Sequence, residues 1–251
     1  MFDAEVRFAA RNHSNIEPLV EAVRAYACAL RTNGQIADDF SISRNGRRIH
    51  LLCIVPEECA LTARFHDRSS AVALERANRL CPQPAKAVIT GEALDTPPAC
   101  TCRRRPSLHL FTNLLDVSSP VACGRCRRAI PLYRLRELDL SLRERVQSWK
   151  RTYQACDELW MNGGVGEDWS YRQLADCKSS LSREGRALCA DVEEATKCPA
   201  FYYLMCYRGR SAAEGRRRKC PACGGKWLLP SSEGCFDFRC EPCRLLSNVG
   251  P

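Results

Sequence analysis

The sequence predicts an α+β protein built in parts: an N-terminal ferredoxin-like βαββαβ domain, a middle four-cysteine zinc site followed by helices, and a C-terminal zinc ribbon. Three observations predict it. Strand-like and helix-like hydrophobic periods alternate through residues 1–95. Two separate groups of paired cysteines follow, in a 251-residue chain with 18 cysteines. The net charge of +9 lies wholly beyond residue 95: residues 1–95 hold 12 Lys/Arg against 12 Asp/Glu, and the rest hold 26 against 17.

The elements of residues 1–95 follow in order. Residues 5–10 alternate apolar and polar as a strand does. Ser14 or Asn15 caps a helix over 16–31, with Ile16, Leu19, Val20, Val23, Ala27 and Leu30 on one face and Asn33-Gly34 as its stop. A strand near 38–44 leads into the hairpin turn Asn45-Gly46, and 49–55 is the clearest strand, stopped by Pro56. A helix over 69–80 and a short strand at 87–89 complete the βαββαβ order. This layout hosts many functions and indicates none.

Asp95-Thr96-Pro97-Pro98 reads as a boundary. The expected organisation is then a middle zinc-binding segment at 98–136 and a helical segment with a terminal strand at 137–207. A basic linker at 208–219 and the ribbon at 220–251 complete it. Helices are expected over 138–161, 168–179 and 182–196, the last capped by Ser182, with a strand over 201–207. Asn162-Gly-Gly-Val-Gly166 is glycine-rich but follows a helix, so it reads as a turn rather than a phosphate loop.

No apolar run reaches the ~18 residues of a membrane span. The start, Met1-Phe2-Asp3-Ala4-Glu5, lacks the basic and apolar character of an export signal. A cytoplasmic, reducing location is expected, where close cysteine pairs mean metal rather than disulfides. Cys220-Pro-Ala-Cys223 and Cys240-Glu-Pro-Cys243, sixteen residues apart, have the spacing of a four-cysteine ribbon. Each C-x-x-C turn sets two thiolates on one side of a tight knuckle, and Gly224 and Gly225 permit the positive φ such a turn uses. Cys100-Thr-Cys102 and Cys123-Gly-Arg-Cys126, twenty residues apart, form a second set, with His109 as a substitute ligand should one of the first pair be free. Four thiolates fill a tetrahedron, so two structural Zn²⁺ per chain are expected, with no open coordination position. Cys28, Cys53, Cys189 and Cys206 fall in apolar contexts and read as core.

At this point the chain resembles the bacterial zinc-ribbon-containing, nucleic-acid-binding proteins grouped as a domain of unknown function. Cys123–Cys126 with Ile130-Pro-Leu-Tyr133, residues 149–160, Ser182 to Cys189, Pro199 to Leu204 and Cys220 to Asn248 carry the resemblance, over roughly residues 98–248. It implies a paired-zinc architecture and brings no catalytic residues.

Cations flank the knuckles: Arg103, Arg104 and Arg105 beside the first, Arg125, Arg127 and Arg128 at the second, and Arg216, Arg217, Arg218 and Lys219 leading into the ribbon. This points to nucleic-acid binding through phosphates. Tyr202, Tyr203, Trp227, Phe236 and Phe238 are candidate stacking faces. The alternative is a protein-binding module, such as an immunity factor neutralising a toxin or an adaptor for the translation or transcription machinery. No P-loop, dinucleotide fingerprint, G-x-S-x-G or H-E-x-x-H occurs, so no enzyme, small-molecule substrate or membrane partner is expected.

Overall fold

Inward-facing Ala4, Val6 and Phe8 alternate with Glu5 and Arg7 along β1 (Phe2–Ala9), the strand on which the first of two units is built. The computed structural model describes residues 1–37, 39–207 and 211–250. By contacts it divides into residues 1–101, 117–119 and 128–143, and residues 102–116, 120–127 and 144–251.

In the first unit β1 is followed by α1 (Ile16–Asn33), β2 (Phe40–Asn45), β3 (Arg48–Val55), α2 (Arg68–Arg79) and β4 (Lys86–Glu92). The sheet order is β2-β3-β1-β4, with β1 antiparallel to both β3 and β4. With two helices in a βαββαβ chain this is the ferredoxin-like arrangement. Leu19, Val23, Ala27 and Leu30 of α1 and Ile49, Leu51 and Val55 of β3 are completely buried in one core. The Asp67 side chain caps α2 by accepting from the Ser70 amide at 2.8 Å. At α1 the cap differs from expectation: Asn12 caps a single 3₁₀ turn before the helix, and Asn15 makes no side-chain cap.

The unit takes in residues 128–143, which by sequence pattern alone belong with the middle zinc segment and the helices after it. Tyr133 joins the core, and Tyr133 and Arg134 both donate to the Glu57 carboxylate, at 2.5 and 2.6 Å. Buried Arg143 donates to the Asn33 side-chain oxygen. Asn33 in turn donates to Gln35 at 2.6 Å and to the Phe65 carbonyl at 2.9 Å. Paired buried polar groups of this kind fix one arrangement of the chain.

The second unit is organised by a six-stranded sheet. Its strands are β5 (Leu108–Leu110), β6 (Val121–Cys123), β7 (Ala200–Leu204), β8 (Leu228–Glu233), β9 (Phe236–Cys240) and β10 (Leu245–Ser247), in the order β6-β5-β7-β10-β9-β8. β7 runs parallel to β5 on one side and β10 on the other, and all five of its residues are buried, as a central parallel strand requires. The ribbon strands are therefore not a free-standing knuckle but one half of a sheet closed through β7. The helices are α3 (Leu140–Asn162), α4 (Glu167–Ala175), α5 (Ser180–Thr196) and the short α6 (Ala212–Arg216). Ser179, not Ser182, caps α5: its hydroxyl accepts from the Ser182 amide at 3.0 Å. Of the expected linker, 208–210 lies outside the described residues, and α6 with a Ser211–Glu214 capping box occupies much of the rest. Among the described residues no helix is long and apolar enough to cross a membrane.

Candidate metal centres

Two sets of four thiols meet in the structure. The sulfurs of Cys100, Cys102, Cys123 and Cys126 all lie within 4.8 Å of one another, and so do those of Cys220, Cys223, Cys240 and Cys243. None of the 18 cysteines is joined in a disulfide. Cys223 and Cys240 stand 3.7 Å apart, far beyond a disulfide's ~2.05 Å. Each group can hold a metal ion. His109, the expected substitute ligand, is not in the middle group.

Backbone turns create both groups. In the Cys220 knuckle the Gly224 amide donates to the Cys220 carbonyl at 2.8 Å, and the Cys220 amide donates to the Gly225 carbonyl at 2.9 Å. In the Cys123 knuckle the Arg127 amide donates to the Cys123 carbonyl at 2.7 Å. Each C-x-x-C is followed by a left-handed residue: Gly224 at φ 72°, Arg127 at 61° and Arg244 at 51°. Glycine accepts that conformation freely, whereas an arginine is strained by about 1–2 kcal/mol. The sequence announces the turn only at Gly224. At the other two knuckles the geometry of the paired thiols imposes it on arginine.

The surroundings hold the knuckles in place. Cys123 ends β6 and pairs in register with Leu108 of β5. Gly124 passes so close to β5 that a β-carbon there would lie 2.0 Å from the Ser107 hydroxyl. Cys240 ends β9 opposite Leu245 of β10. Electrostatics separate the thiols of the C-terminal group. A hydrogen bond from the Gly225 backbone is the main reason the exposed Cys223 thiol falls to about 7. Burial pushes Cys243 up to about 11 and Cys240 higher still.

The flanking cations divide into two kinds. Arg103, Arg104, Arg125, Arg127, Arg128, Arg216, Arg217 and Lys219 are exposed, while Arg105 and Arg218 are half-buried. Arg218 is engaged inside the fold: it donates to the Asn248 carbonyl at 2.5 Å and the Ser247 hydroxyl at 3.3 Å, and lies over Phe238 at 4.7 Å. The five expected stacking aromatics are buried, none more than 8% exposed. Tyr203 and Phe236 belong to one cluster with Phe201 and Leu246, Trp227 packs on Phe238 at 4.9 Å, and Tyr202 packs on Trp149. The expectation that they offer stacking faces is corrected: they are core side chains. Of the four cysteines expected in the core, Cys53 and Cys189 are buried, Cys206 is half-buried and Cys28 is exposed.

A groove of about 910 Å³ runs between α5 and the 240–243 knuckle. Arg183, Arg186 and Arg244 line it against Glu193, Glu194 and Glu241, so it has no excess of positive charge to offer a phosphate chain. Arg244 is held there by Glu193 through two bonds, at 2.9 and 2.8 Å.

Comparison with known proteins places these features in families. Residues 103–205 match a domain of unknown function (DUF2310), residues 209–251 a second (DUF8594) and residues 1–91 a third (DUF8589). A Haemophilus influenzae protein described as uncharacterized is 38% identical over 141 residues, covering 56% of this chain and 70% of that protein. A second from the same organism is 38% identical over 141 residues, and the match spans only 54% of its length. Among solved structures, a putative antibiotic biosynthesis monooxygenase from Nitrosomonas europaea is 18% identical with a TM-score of 0.32, over 38% of this chain and 99% of that one. Another antibiotic biosynthesis monooxygenase is 10% identical with a TM-score of 0.31, over 37% and 99%. The expectation that the chain is not an enzyme does not stand: it rested on the lack of a familiar motif, which excludes nothing. The similarity assigns no reaction to this chain.

Proposed function

We infer that this chain, which belongs to the bacterial family of unknown function shared with the Haemophilus influenzae protein, holds two structural zinc ions and binds nucleic acid through the cations around them. Zinc is favoured by the donor set. Four thiolates suit a soft, tetrahedral ion, and Zn–S bonds of ~2.3 Å put sulfurs about 3.8 Å apart, close to the 3.7 Å between Cys223 and Cys240. Cys100, Cys102, Cys123 and Cys126 hold one ion and Cys220, Cys223, Cys240 and Cys243 the other. When bound, each ion cross-links strand ends and leaves no position for a reacting water.

The observation that carries the nucleic-acid reading is that eight of the ten cations flanking the knuckles are exposed. Arg127 shows how the fold positions them. It lies against the turn between β8 and β9, where a β-carbon on Gly234 would come within 2.6 Å of its side chain. Cations on rigid turns, with the nearby aromatics buried, suit phosphates rather than base edges. Binding is therefore expected to be weakly dependent on sequence and strongly dependent on salt.

Fluorescence anisotropy with single-stranded and duplex oligonucleotides at several salt concentrations tests this. Replacing Arg103, Arg104 and Arg125 by Ala should lower the slope of log K against log[salt] by about 2–3 units, for all sequences alike. Wild-type affinity no better than about millimolar at low salt would end the reading.

A further inference from the structure

The charges of residues 1–95 sum to zero, but the fold does not mix them. Strand alternation sends Ala4, Val6 and Phe8 of β1 and Ile49 and Leu51 of β3 into the core with α1. Glu5, Arg7, Arg48 and His50 therefore lie on the sheet face away from the helices. Arg7 stands opposite Lys86 of β4 and His50 of β3, and Arg48 stands opposite Ala9 and Asn45. Arg48, Arg7 and Lys86 thus occupy three adjacent strands at the end of the sheet that holds the β2–β3 turn. The loop after β1 and that turn add two more cations. Arg47 donates to the Arg11 carbonyl at 3.1 Å, the Ala10 amide donates to the Arg47 carbonyl at 2.8 Å, and Arg11 donates to the Cys81 carbonyl at 3.3 Å.

The carboxylates at this end do not balance these cations. Glu5 is taken by Arg7 and His50, each at 2.5 Å. Glu17, at the start of α1, lies 3.7 Å from Arg44, and Glu21 follows one turn later. α2 ends here too, because the Arg11 amide donates to the Leu80 carbonyl at 3.0 Å. Its last turns hold Arg76 and Arg79 against Glu75, which Arg79 pairs at 2.5 Å. Eight Lys/Arg face four Glu, an excess of four positive charges in a segment that is neutral as a whole. Arg11, Arg47, Arg48 and Lys86 are exposed and, among the described residues, meet no carboxylate. The other end of the sheet, with Asp3, Glu57 and Glu92, is treated differently: Arg134 pairs with Glu57 there at 2.5 Å.

Unmatched like charges destabilise a compact fold by self-repulsion, so a set held on a rigid sheet end is suited to an anionic partner. Among residues 1–95 the exposed large apolar side chains are Leu52, Val72 and Leu94. None lies in the β2–β3 turn, in residues 9–15 or in the last turns of α2. A protein interface centres on apolar and aromatic groups, whereas a nucleic-acid interface is polar and positive. We propose that Arg11, Arg47, Arg48 and Lys86 form a second nucleic-acid surface, on the first unit, that meets phosphates without reading sequence. It extends the nucleic-acid reading to a site outside both cysteine groups, and none of its cations belongs to the knuckles.

The test uses the full zinc-loaded chain, with fluorescein-labelled oligo-dT and a labelled duplex followed by anisotropy. The triple variant Arg47→Gln, Arg48→Gln and Lys86→Gln should lower the slope of log K against log[salt] by about 2–3 units. Arg48→Gln with Lys86→Gln, which leaves the Arg47–Arg11 bond in place, should lower it by about 1–2 units. The control is Arg24→Gln, Arg64→Gln and Arg68→Gln, which removes the same charge from exposed positions elsewhere in residues 1–95 and should leave the slope unchanged. All six positions are exposed, so circular dichroism should show each variant folded. An unchanged slope in the triple variant, or an equal fall in the control, would overturn the proposal. Polyglutamate or phosphatidylserine vesicles that bind as tightly as the oligonucleotide, and lose as much in the triple variant, would overturn it in favour of an acidic protein or a membrane surface. The variant at Arg103, Arg104 and Arg125 reads the knuckles separately. A fall there with none in the triple variant would keep the knuckle reading and remove this one, and a fall in the triple variant alone would place the binding on the first unit.

Discussion

Gly185→Ala sets two effects of known size against each other. In an exposed helix the change stabilises by about 1 kcal/mol, because alanine loses less backbone freedom on folding. Here Gly185 lies in α5 against β7. A β-carbon would stand 2.3 and 2.7 Å from two atoms of the Tyr202 ring and 2.8 Å from the Trp149 indole nitrogen. Both rings are completely buried, so neither can swing aside into solvent. Overpacking of this kind destabilises by about 1–3 kcal/mol, and three contacts under 3 Å place it at the upper end. The net effect is a loss of about 2 kcal/mol, or about 4–8 °C in Tm for a chain of this size. Thermal unfolding followed by circular dichroism measures it, with a Tyr202→Leu partner to test for coupling between the two sites. An unchanged or higher Tm in Gly185→Ala would refute the close packing of α5 on β7.

Other consequences can be measured alongside. Cys240→Ser removes a thiolate from a site whose zinc affinity is of order 10 kcal/mol, and Cys240 anchors β9 beside β10. Limited proteolysis should then cut residues 220–250 while residues 1–92 survive, and cleavage throughout both would contradict it. Arg218→Ala should lower stability by about 1–2 kcal/mol in a urea titration, yet leave the salt slope of oligonucleotide binding unchanged, since Arg218 is committed to Asn248 and Ser247. His109 is held down to about 4, first by burial and then by the charges of Arg239 and Arg127. The unfolded chain then binds the extra proton first, so stability is full above the unfolded value of about 6.5 and is lost as pH falls towards 4. The span is of order 3 kcal/mol. A His109→Gln variant should show a flatter stability curve between those pH values than wild type, and identical curves would contradict the neutral buried imidazole.

The βαββαβ unit was legible because its signals are local. The helix expected over 16–31 is Ile16–Asn33, and the Asn45-Gly46 turn joins β2 to β3 as a hairpin should. The cysteine groups were legible for the same reason, since two-residue spacing fixes how two thiolates face. The six-stranded sheet was not. β5, β6 and β10 are three residues each, too short to show a period, and the parallel pairs of β7 join segments far apart in sequence. That sheet decides the fate of the aromatics: Tyr202, Tyr203, Phe236 and Phe238 look available in the sequence and are buried once β7 and β9 have neighbours on both sides. Arg218 shows the same limit. Three consecutive arginines read as one basic run, yet α6 and the turn after it leave Arg216 and Arg217 exposed while Arg218 lies over the Phe238 ring.

The proposed function stands on two closed four-thiolate centres that hold zinc. X-ray absorption at the zinc edge on the purified protein, with the metal content measured on the same sample, tests it most directly. Two closed four-thiolate centres should give two zinc ions per chain, each with four sulfur neighbours at about 2.3 Å and no nitrogen or oxygen neighbour. One zinc per chain would remove one of the two centres. A zinc content near zero, or a shell of mixed nitrogen and sulfur, would contradict four-thiolate zinc centres in this chain.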